Sequence, residues 1–199
     1  IVDGIARACA ETGTALVGGE TAEHPGLLGA DDYDVAGAAV GVVEADEMLG
    51  AHRVQHGDVV IAMASSGLHS NGFSLVRHII AGRGVAYDST VAEFDRVLGE
   101  ELLEPTRLYT APILDTLAAH PGAIHSLSHV TGGGIAANLA RVLPAGTWVD
   151  VDRATWTPPT VFRVLAEWGN EPIEGTEGTW NLGIGMLAVV SHESASTLT

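Results

Sequence analysis

The hydrophobic pattern at the start of the chain predicts one amphipathic helix followed by two strands. Gly13 stands where a glycine commonly ends a helix. The short apolar run 15–17 predicts a strand, and the run 35–43, built from valine, alanine and glycine, predicts a buried strand. The helix itself is indicated by residues that recur at the spacing of a single helix face, namely Ile1, Ile5, Ala8 and Cys9.

The chain becomes polar and mixed over residues 44–58, and we predict a domain boundary there. The predicted organisation is a domain remnant at 1–43 and a larger domain at 44–199. The larger domain begins with an apolar run at 59–64 that predicts a strand. A helix that ends at Gly82 should follow. Its apolar face would consist of Phe73, Val76, Ile79 and Ile80.

The remaining pattern predicts further alternation of helices and strands. We expect mostly helix over 91–119, interrupted at Pro105 and Pro112. The elements predicted beyond it are a strand at 124–130, a helix at 135–143, a helix at 160–168 and a strand at 182–191. This order predicts an α/β domain of the α+β type, with a mixed sheet and packed helices.

The composition excludes several classes of function. The formal net charge of −16 argues against a nucleic-acid partner, which needs a basic surface. All nine cationic side chains are arginines, so lysine Schiff-base chemistry and a P-loop lysine are excluded within this chain. An anionic substrate must then be held by backbone N–H groups, arginine, histidine or a metal ion. No apolar run reaches the length of a membrane helix, and the single Cys9 excludes an internal disulfide, so we expect a cytoplasmic protein without a membrane partner.

Residues 18–26 read Gly-Gly-Glu-Thr-Ala-Glu-His-Pro-Gly and are the first candidate site. Glycines let a backbone approach a ligand closely, and carboxylates are natural oxygen ligands for Mg²⁺. We therefore interpret Glu20 or Glu23 as a metal ligand, with the glycines admitting phosphate oxygens. The structural alternative is a surface turn with solvated acidic side chains.

The second candidate site is the turn at 65–72, between a predicted strand and a predicted helix. Ser70 or Asn71 would cap that helix, whose N-terminus favours an anion. His69 lies just before it and could donate to a phosphate or move a proton. The alternative is that Ser-Asn-Gly is only a good cap.

The third candidate site combines His129 with Gly132, Gly133 and Gly134, which again precede a predicted helix. Three consecutive glycines carry an entropic cost that a plain turn does not require. A histidine at the end of an apolar strand could instead be a core residue. Arg107 could clamp a phosphate, although a single arginine before a helix is usually a surface residue, and we interpret residues 181–186 as structural.

Taken together, these motifs resemble the phosphoribosylformylglycinamidine cyclo-ligases, also called AIR synthetases. Each motif is weak alone, but their order and approximate spacing match that family over nearly the whole chain. Residue 24 departs slightly, since the family usually has Met where this chain has His24. The motifs that carry the resemblance lie at 18–26, 33–37, 65–72, 105–107, 129–134 and 181–186.

The resemblance implies ATP-dependent closure of formylglycinamidine ribonucleotide to aminoimidazole ribonucleotide in purine biosynthesis, with ADP and phosphate as the other products. It implies ATP and Mg²⁺ as cofactors, with Glu20 and Glu23 on the metal and Gly18, Gly19 and Thr21 on the nucleotide. His69 or His129 would transfer a proton. The cleft for the substrate phosphate or the transferred phosphoryl group would be lined by Ser70, Asn71, Gly72, Arg107, Thr131, Gly132, Gly133 and Gly134.

Members of that family have a longer N-terminal ATP-binding and dimerisation domain, of which 1–43 resembles the last part. The resemblance therefore implies a homodimeric parent, and we expect the 199 residues alone to be inactive. One alternative is another member of the same ATP-dependent superfamily, such as formylglycinamidine ribonucleotide synthetase, selenide water dikinase, thiamine-monophosphate kinase or a hydrogenase maturation dehydratase. A second alternative is a non-catalytic nucleotide-binding or oligomerisation module, in which His69 and His129 would have no essential role.

Overall fold

A computed structural model describes all 199 residues, which form two compact units at residues 1–48 and 49–199. The first unit contains one helix, α1 (Val2–Glu11), and Gly13 follows it with φ +67°, as predicted. The predicted strands at 15–17 and 35–43 are wrong, because neither run pairs with another strand in this unit. A strand needs a partner for its backbone N–H and C=O groups.

The second unit contains three strands and six helices. Short 3₁₀ turns at Ala51–Arg53, Arg153–Thr155 and Ile173–Thr176 complete it. In chain order the elements are β1 (Val59–Ala64), α2 (Phe73–Arg83), α3 (Leu98–Leu102), α4 (Thr110–Ala119), β2 (Ile124–His129), α5 (Gly134–Ala140), α6 (Thr160–Trp168), β3 (Ile184–Val190) and α7 (Ala195–Leu198).

The three strands form one sheet in the order β1-β3-β2, and β3 is antiparallel to both neighbours. Val190, at the end of β3, pairs with Val59 on one side and with Ile124 on the other. The predicted α/β class is confirmed, but the mixed sheet is wrong. β1 and β2 do run in the same direction, yet the last strand inserts between them, so no parallel pair forms.

Successive residues of β3 point to opposite faces of the sheet, so each face packs in its own hydrophobic cluster. Leu187 and Val189 pack in the cluster that contains Leu139 of α5, whereas Ala188 and Val190 pack in a second cluster. A third and larger cluster joins α2 to α6. Its buried members include Val76, Ile79, Phe162, Leu165 and Trp180.

Two predicted helix breaks fall elsewhere in the structure. Gly82 lies inside α2, and the helix ends at Gly84, whose φ of +69° gives the left-handed turn that closes a helix. Pro112 is the third residue of α4, where its missing N–H costs no helical hydrogen bond. Both differences arise because the effect of a glycine or a proline on a helix depends on whether it lies at an end of the helix or in its interior.

Candidate functional site

The loops that follow β1 and β2 meet at one edge of the sheet. Because the two strands run in the same direction, their carboxyl ends lie side by side, separated only by the start of β3. The Gly132 N–H donates to Asn71 Oδ1 at 3.3 Å and links the two loops directly. The second and third candidate sites of the sequence therefore form one site.

Asn181, which lies just before β3, holds the loop after β1 in place through hydrogen bonds. Its buried amide nitrogen donates to the Gly67 carbonyl at 2.9 Å. Its amide oxygen accepts from Ser65 Oγ at 3.0 Å and from the Gly183 N–H at 2.8 Å. These contacts use both ends of the amide, so Asn181 holds the loop in place and does not face a ligand.

His69 is the most constrained residue of the site. It is 5% exposed and has a left-handed backbone with φ +58°. Its Nε2 accepts from the Ser66 N–H at 3.2 Å and from the Arg107 N–H at 3.4 Å, whereas its Nδ1 is buried and has no hydrogen-bond partner. Burial lowers the pKa of His69, and electrostatic interaction with His129 and Arg107 lowers it further. The imidazole is therefore neutral at neutral pH.

Tyr109 holds the ring of His69 and was not identified from the sequence. The two rings meet edge to face with centroids 6.2 Å apart, and the Tyr109 hydroxyl donates to the Ala64 carbonyl at 2.9 Å. Burial raises the pKa of Tyr109, so the phenol stays protonated. Gly185 lies beneath both rings, because a Cβ there would overlap the Tyr109 hydroxyl and lie 2.6 Å from His69 Cε1. A glycine inside a strand pattern is the sequence signal that could have indicated this close approach.

The cap predicted for α2 is wrong. Gly72 is the N-cap, with φ +76°, and no side chain bonds to the first-turn amides. A Cβ at Gly72 would overlap the indole of Trp180, so packing from a distant segment determines the cap. Ser70 instead lies with its hydroxyl 3.4 Å from that of Thr106, and Asn71 bonds to the neighbouring loop.

A surface cleft of about 610 Å³ opens beside this uncapped helix end. Its polar lining includes His69, Ser70, Ser74, Arg77 and Thr106. Uncapped amides at a helix N-terminus together with an arginine one turn further are suited to an anion. Arg77 was not identified from the sequence, where it appears as one cation within an amphipathic helix.

The glycine turn after β2 has a structural reason at two of its three positions. Gly133 and Gly134 have φ values of +98° and +66°, and a Cβ at Gly134 would overlap a backbone carbonyl oxygen. The buried amide of Asn138 ties the turn together, donating to the Gly134 carbonyl at 2.7 Å and accepting from Thr131 Oγ1 at 3.1 Å. Gly132 has neither constraint.

His129 and Arg107 both have exposed side chains at this edge of the sheet. His129 is the last residue of β2, and the backbone N–H of Arg107 is one of the two donors to His69. The structure therefore places one exposed imidazole near one buried imidazole. Which residues of this edge bind ligand stays a prediction.

The first candidate site lies in the other unit and is described by itself. Its residues are exposed, and the turn is held by the His24 carbonyl, which accepts from the N–H groups of Leu27 and Leu28 at 3.1 Å. No group of three or more histidine, cysteine or acidic side chains is arranged so that it could hold a metal ion by itself. The exposed carboxylates of Glu20 and Glu23 are nevertheless hard oxygen donors, which fit a Mg²⁺ ion that keeps waters and phosphate oxygens as its other ligands.

A histidine–aspartate pair lies at the opposite edge of the sheet. His125 Nδ1 donates to Asp58 Oδ2 at 2.7 Å, and the same carboxylate oxygen accepts from the Gln55 N–H at 2.7 Å. Both side chains are largely buried, so this pair is a structural clamp between the starts of β1 and β2. None of the helices is both long and apolar enough to cross a membrane.

Comparison with known proteins identifies the family. The family described as "AIR synthase related protein, C-terminal domain" matches residues 55–199, and its N-terminal domain counterpart matches residues 1–43. Proteins named phosphoribosylformylglycinamidine cyclo-ligase are similar to the chain, including those of Bacillus subtilis (46% identity over 97% of this chain), Synechococcus elongatus (48% over 96%) and Pseudothermotoga lettingae (42% over 100%). The chain spans 56% to 58% of the length of these relatives. The resemblance seen in the motifs is thus confirmed, and the chain belongs to the AIR synthase related protein family.

Proposed function

We propose that this chain forms part of a phosphoribosylformylglycinamidine cyclo-ligase, the enzyme that closes the imidazole ring in purine biosynthesis. The substrate would be formylglycinamidine ribonucleotide, and ATP would be converted to ADP and phosphate. The observation that carries this proposal is the Asn71–Gly132 hydrogen bond, which joins the two motif loops beside His69. The names of the relatives support the cyclo-ligase part of the proposal.

The proposed reaction has two steps. In the first, the formyl amide oxygen takes the γ-phosphoryl group of ATP, the amide loses its N–H proton and ADP leaves. In the second, the amidine nitrogen attacks the formyl carbon, the C–O bond breaks with release of phosphate, and loss of a proton completes the aromatic ring. Phosphorylation matters because an amide oxygen is otherwise a poor leaving group, and the protein contributes positioning and charge stabilisation.

The residues divide between the two substrates in this proposal. Gly18, Gly19 and Thr21 would contact the nucleotide, and Glu20 and Glu23 would hold Mg²⁺, which neutralises charge on the phosphates when bound. The substrate phosphate would bind at the uncapped start of α2, where Ser70, Asn71, Gly72 and Arg77 line the cleft. Arg107 would clamp the same phosphate. The transferred phosphoryl group would face Thr131, Gly132, Gly133 and Gly134.

The remaining parts of the proposal concern proton transfer and assembly. His69 and His129 are the two imidazoles at this edge of the sheet, and one of them would accept the proton that the reaction releases. We also propose a homodimeric, cytoplasmic enzyme, with a small ribonucleotide and ATP as its ligands and no nucleic-acid partner. The net charge of −16 supports the last point.

A chimera tests the function directly. These 199 residues would replace the matching segment of the Bacillus subtilis relative, and aminoimidazole ribonucleotide and ADP would be measured with formylglycinamidine ribonucleotide and ATP. We expect equal amounts of both products. ATP turnover only with a different substrate of the superfamily would contradict the proposal. A folded chimera that binds nucleotide without turnover would favour a non-catalytic module instead.

A further inference from the structure

Two unusual features coincide at His69. A left-handed backbone is uncommon for a residue with a side chain, and φ here is +58°. A buried polar atom without a hydrogen-bond partner destabilises the fold, and His69 Nδ1 is such an atom. Local strain and an unsatisfied buried group typically persist where function requires them.

The hydrogen bonds of the ring determine which nitrogen carries the proton. Nε2 accepts from two backbone N–H groups, those of Ser66 and Arg107. An imidazole nitrogen that accepts hydrogen bonds has a free lone pair, so in the neutral ring the hydrogen lies on Nδ1. Backbone amides cannot exchange roles with the ring, and the tautomer is therefore set by the fold.

The groups around the ring also oppose a second proton. His129, at the end of β2, and Arg107, in the segment before α4, both disfavour an imidazolium at His69. Tyr109 approaches with its ring edge, and its hydroxyl is already used by the Ala64 carbonyl. No acceptor in the chain is therefore placed to stabilise a protonated His69 at either nitrogen.

We propose that His69 acts as a neutral hydrogen-bond donor, through Nδ1–H, to an oxygen of the ligand that carries no hydrogen, and that it does not transfer a proton. This proposal rests on the proposed function and assigns different roles to the two histidines of the site. The proton released during ring closure then goes to the exposed His129. Nδ1 is covered, so a ligand that bonds to it must first expose that atom.

The role suits the chemistry of an activated amide. The oxygen that joins carbon to phosphorus gains negative charge as the C–O bond breaks and phosphate leaves, and a fixed donor on that oxygen or on a phosphoryl oxygen stabilises that charge. A neutral imidazole is a poor acid, so it does not protonate the oxygen that must be phosphorylated. An imidazolium in the same place would compete with the phosphoryl group for that oxygen.

Nuclear magnetic resonance of the 199-residue chain tests the tautomer without any activity. With ¹⁵N-labelled histidine, the His69 signals are assigned as those lost in His69→Asn, and long-range ¹H–¹⁵N spectra report which nitrogen is protonated. We expect a protonated Nδ1 and a bare Nε2 at neutral pH. A hydrogen on Nε2, or an imidazolium at neutral pH, would overturn the proposal, whatever the chimera does.

Substitutions in the chimera test the role in turnover. Asn places a neutral N–H donor where Nδ1 stood and accepts a left-handed backbone, so His69→Asn should keep at least tenfold more kcat than His69→Ala, equivalent to about 1.4 kcal/mol. The pH profile of kcat in His69→Asn should have the same shape as the pH profile of the unsubstituted chimera. His78→Asn, exposed on α2, is the matched control. Equal loss in His69→Asn and His69→Ala, with thermal unfolding unchanged, would refute the donor role, as would loss of one limb of the profile in His69→Asn.

Discussion

Gly185→Ala tests whether the close packing of Tyr109 and His69 over β3 supports the site edge of the sheet. The new Cβ would overlap the Tyr109 hydroxyl and lie 3.0 Å from Tyr109 Cζ and 2.6 Å from His69 Cε1. Both rings are buried, at 8% and 5% exposure, so neither can move freely aside. Overpacking of this kind costs about 1–3 kcal/mol.

Relief of the overlap has a further cost. Moving Tyr109 breaks the hydrogen bond from its hydroxyl to the Ala64 carbonyl, which contributes about 0.5–1.5 kcal/mol. Replacing glycine also removes freedom from the unfolded chain, which offsets about 0.4–1 kcal/mol. The net expectation is a loss of about 2 kcal/mol in the free energy of unfolding.

Urea unfolding measures this loss, with tryptophan fluorescence as the signal. All four tryptophans lie in residues 49–199, so the signal reports the unit that contains Gly185. With a slope of about 2 kcal/mol per molar urea, the midpoint should fall by about 1 M. Gly82→Ala is the matched control, since Gly82 lies in α2 with no atom within 4 Å of its added Cβ, and it should raise stability by up to about 1 kcal/mol.

A double variant checks the cause. In the Tyr109→Phe background the overlapping oxygen is gone, so Gly185→Ala should destabilise less than it does alone, by a coupling of about 0.5–3 kcal/mol. A midpoint for Gly185→Ala equal to that of the unsubstituted chain would refute the packing argument. Strictly additive effects would show that the hydroxyl is not the atom that excludes a side chain.

The other predictions use the same unfolding measurement. Gly134→Ala should destabilise by about 3 kcal/mol or more, because its Cβ overlaps a backbone oxygen at positive φ, whereas Gly132→Ala should unfold like the unsubstituted chain. Asp58→Ala leaves buried His125 without its acceptor and should cost about 1–3 kcal/mol; an unchanged midpoint would contradict the clamp. Because the folded pKa of His69 is lowered, the unfolded chain binds the extra proton first, so stability should fall as pH drops below about 6.5. That decline should be weaker in His69→Asn, and an identical pH dependence would contradict it.

The sequence predicted elements whose signals are local. The strand at 59–64 and the helix at 160–168 have the predicted bounds, because an apolar run and a helical period lie next to clear stop signals such as Gly169. The runs 15–17 and 35–43 carried an equally strong strand pattern but form no strand. Apolar content reports a tendency to be buried, whereas a strand also requires a paired backbone.

The parts of the site that were not predicted depend on residues far apart in the chain. Tyr109 reaches His69 across 40 positions that include two helices, and no local pattern marks that contact. The cap of α2 moved from Ser70 or Asn71 to Gly72 because the Trp180 ring occupies the space of a Cβ. A capping side chain stabilises a helix by only about 1 kcal/mol, and the burial of an indole ring contributes more than that.

The glycines of the motifs can now be separated by cause. Gly72, Gly134 and Gly185 are required by packing, because a Cβ at each position would overlap a neighbouring atom. Gly132, like Gly18 and Gly19, has open space around its missing Cβ, and none of the three has a positive φ.

Where neither sterics nor backbone conformation requires glycine, the close approach of a ligand to the backbone is the remaining physical reason for it. Gly132 is also the residue whose N–H already reaches Asn71 Oδ1 in the other loop. We therefore expect Gly132→Ala in the chimera to fold normally but to lose at least tenfold in kcat/KM, about 1.4 kcal/mol. Normal turnover in that variant would show that the phosphoryl group does not bind at this turn, and the start of α2 would then be the proposed anion site.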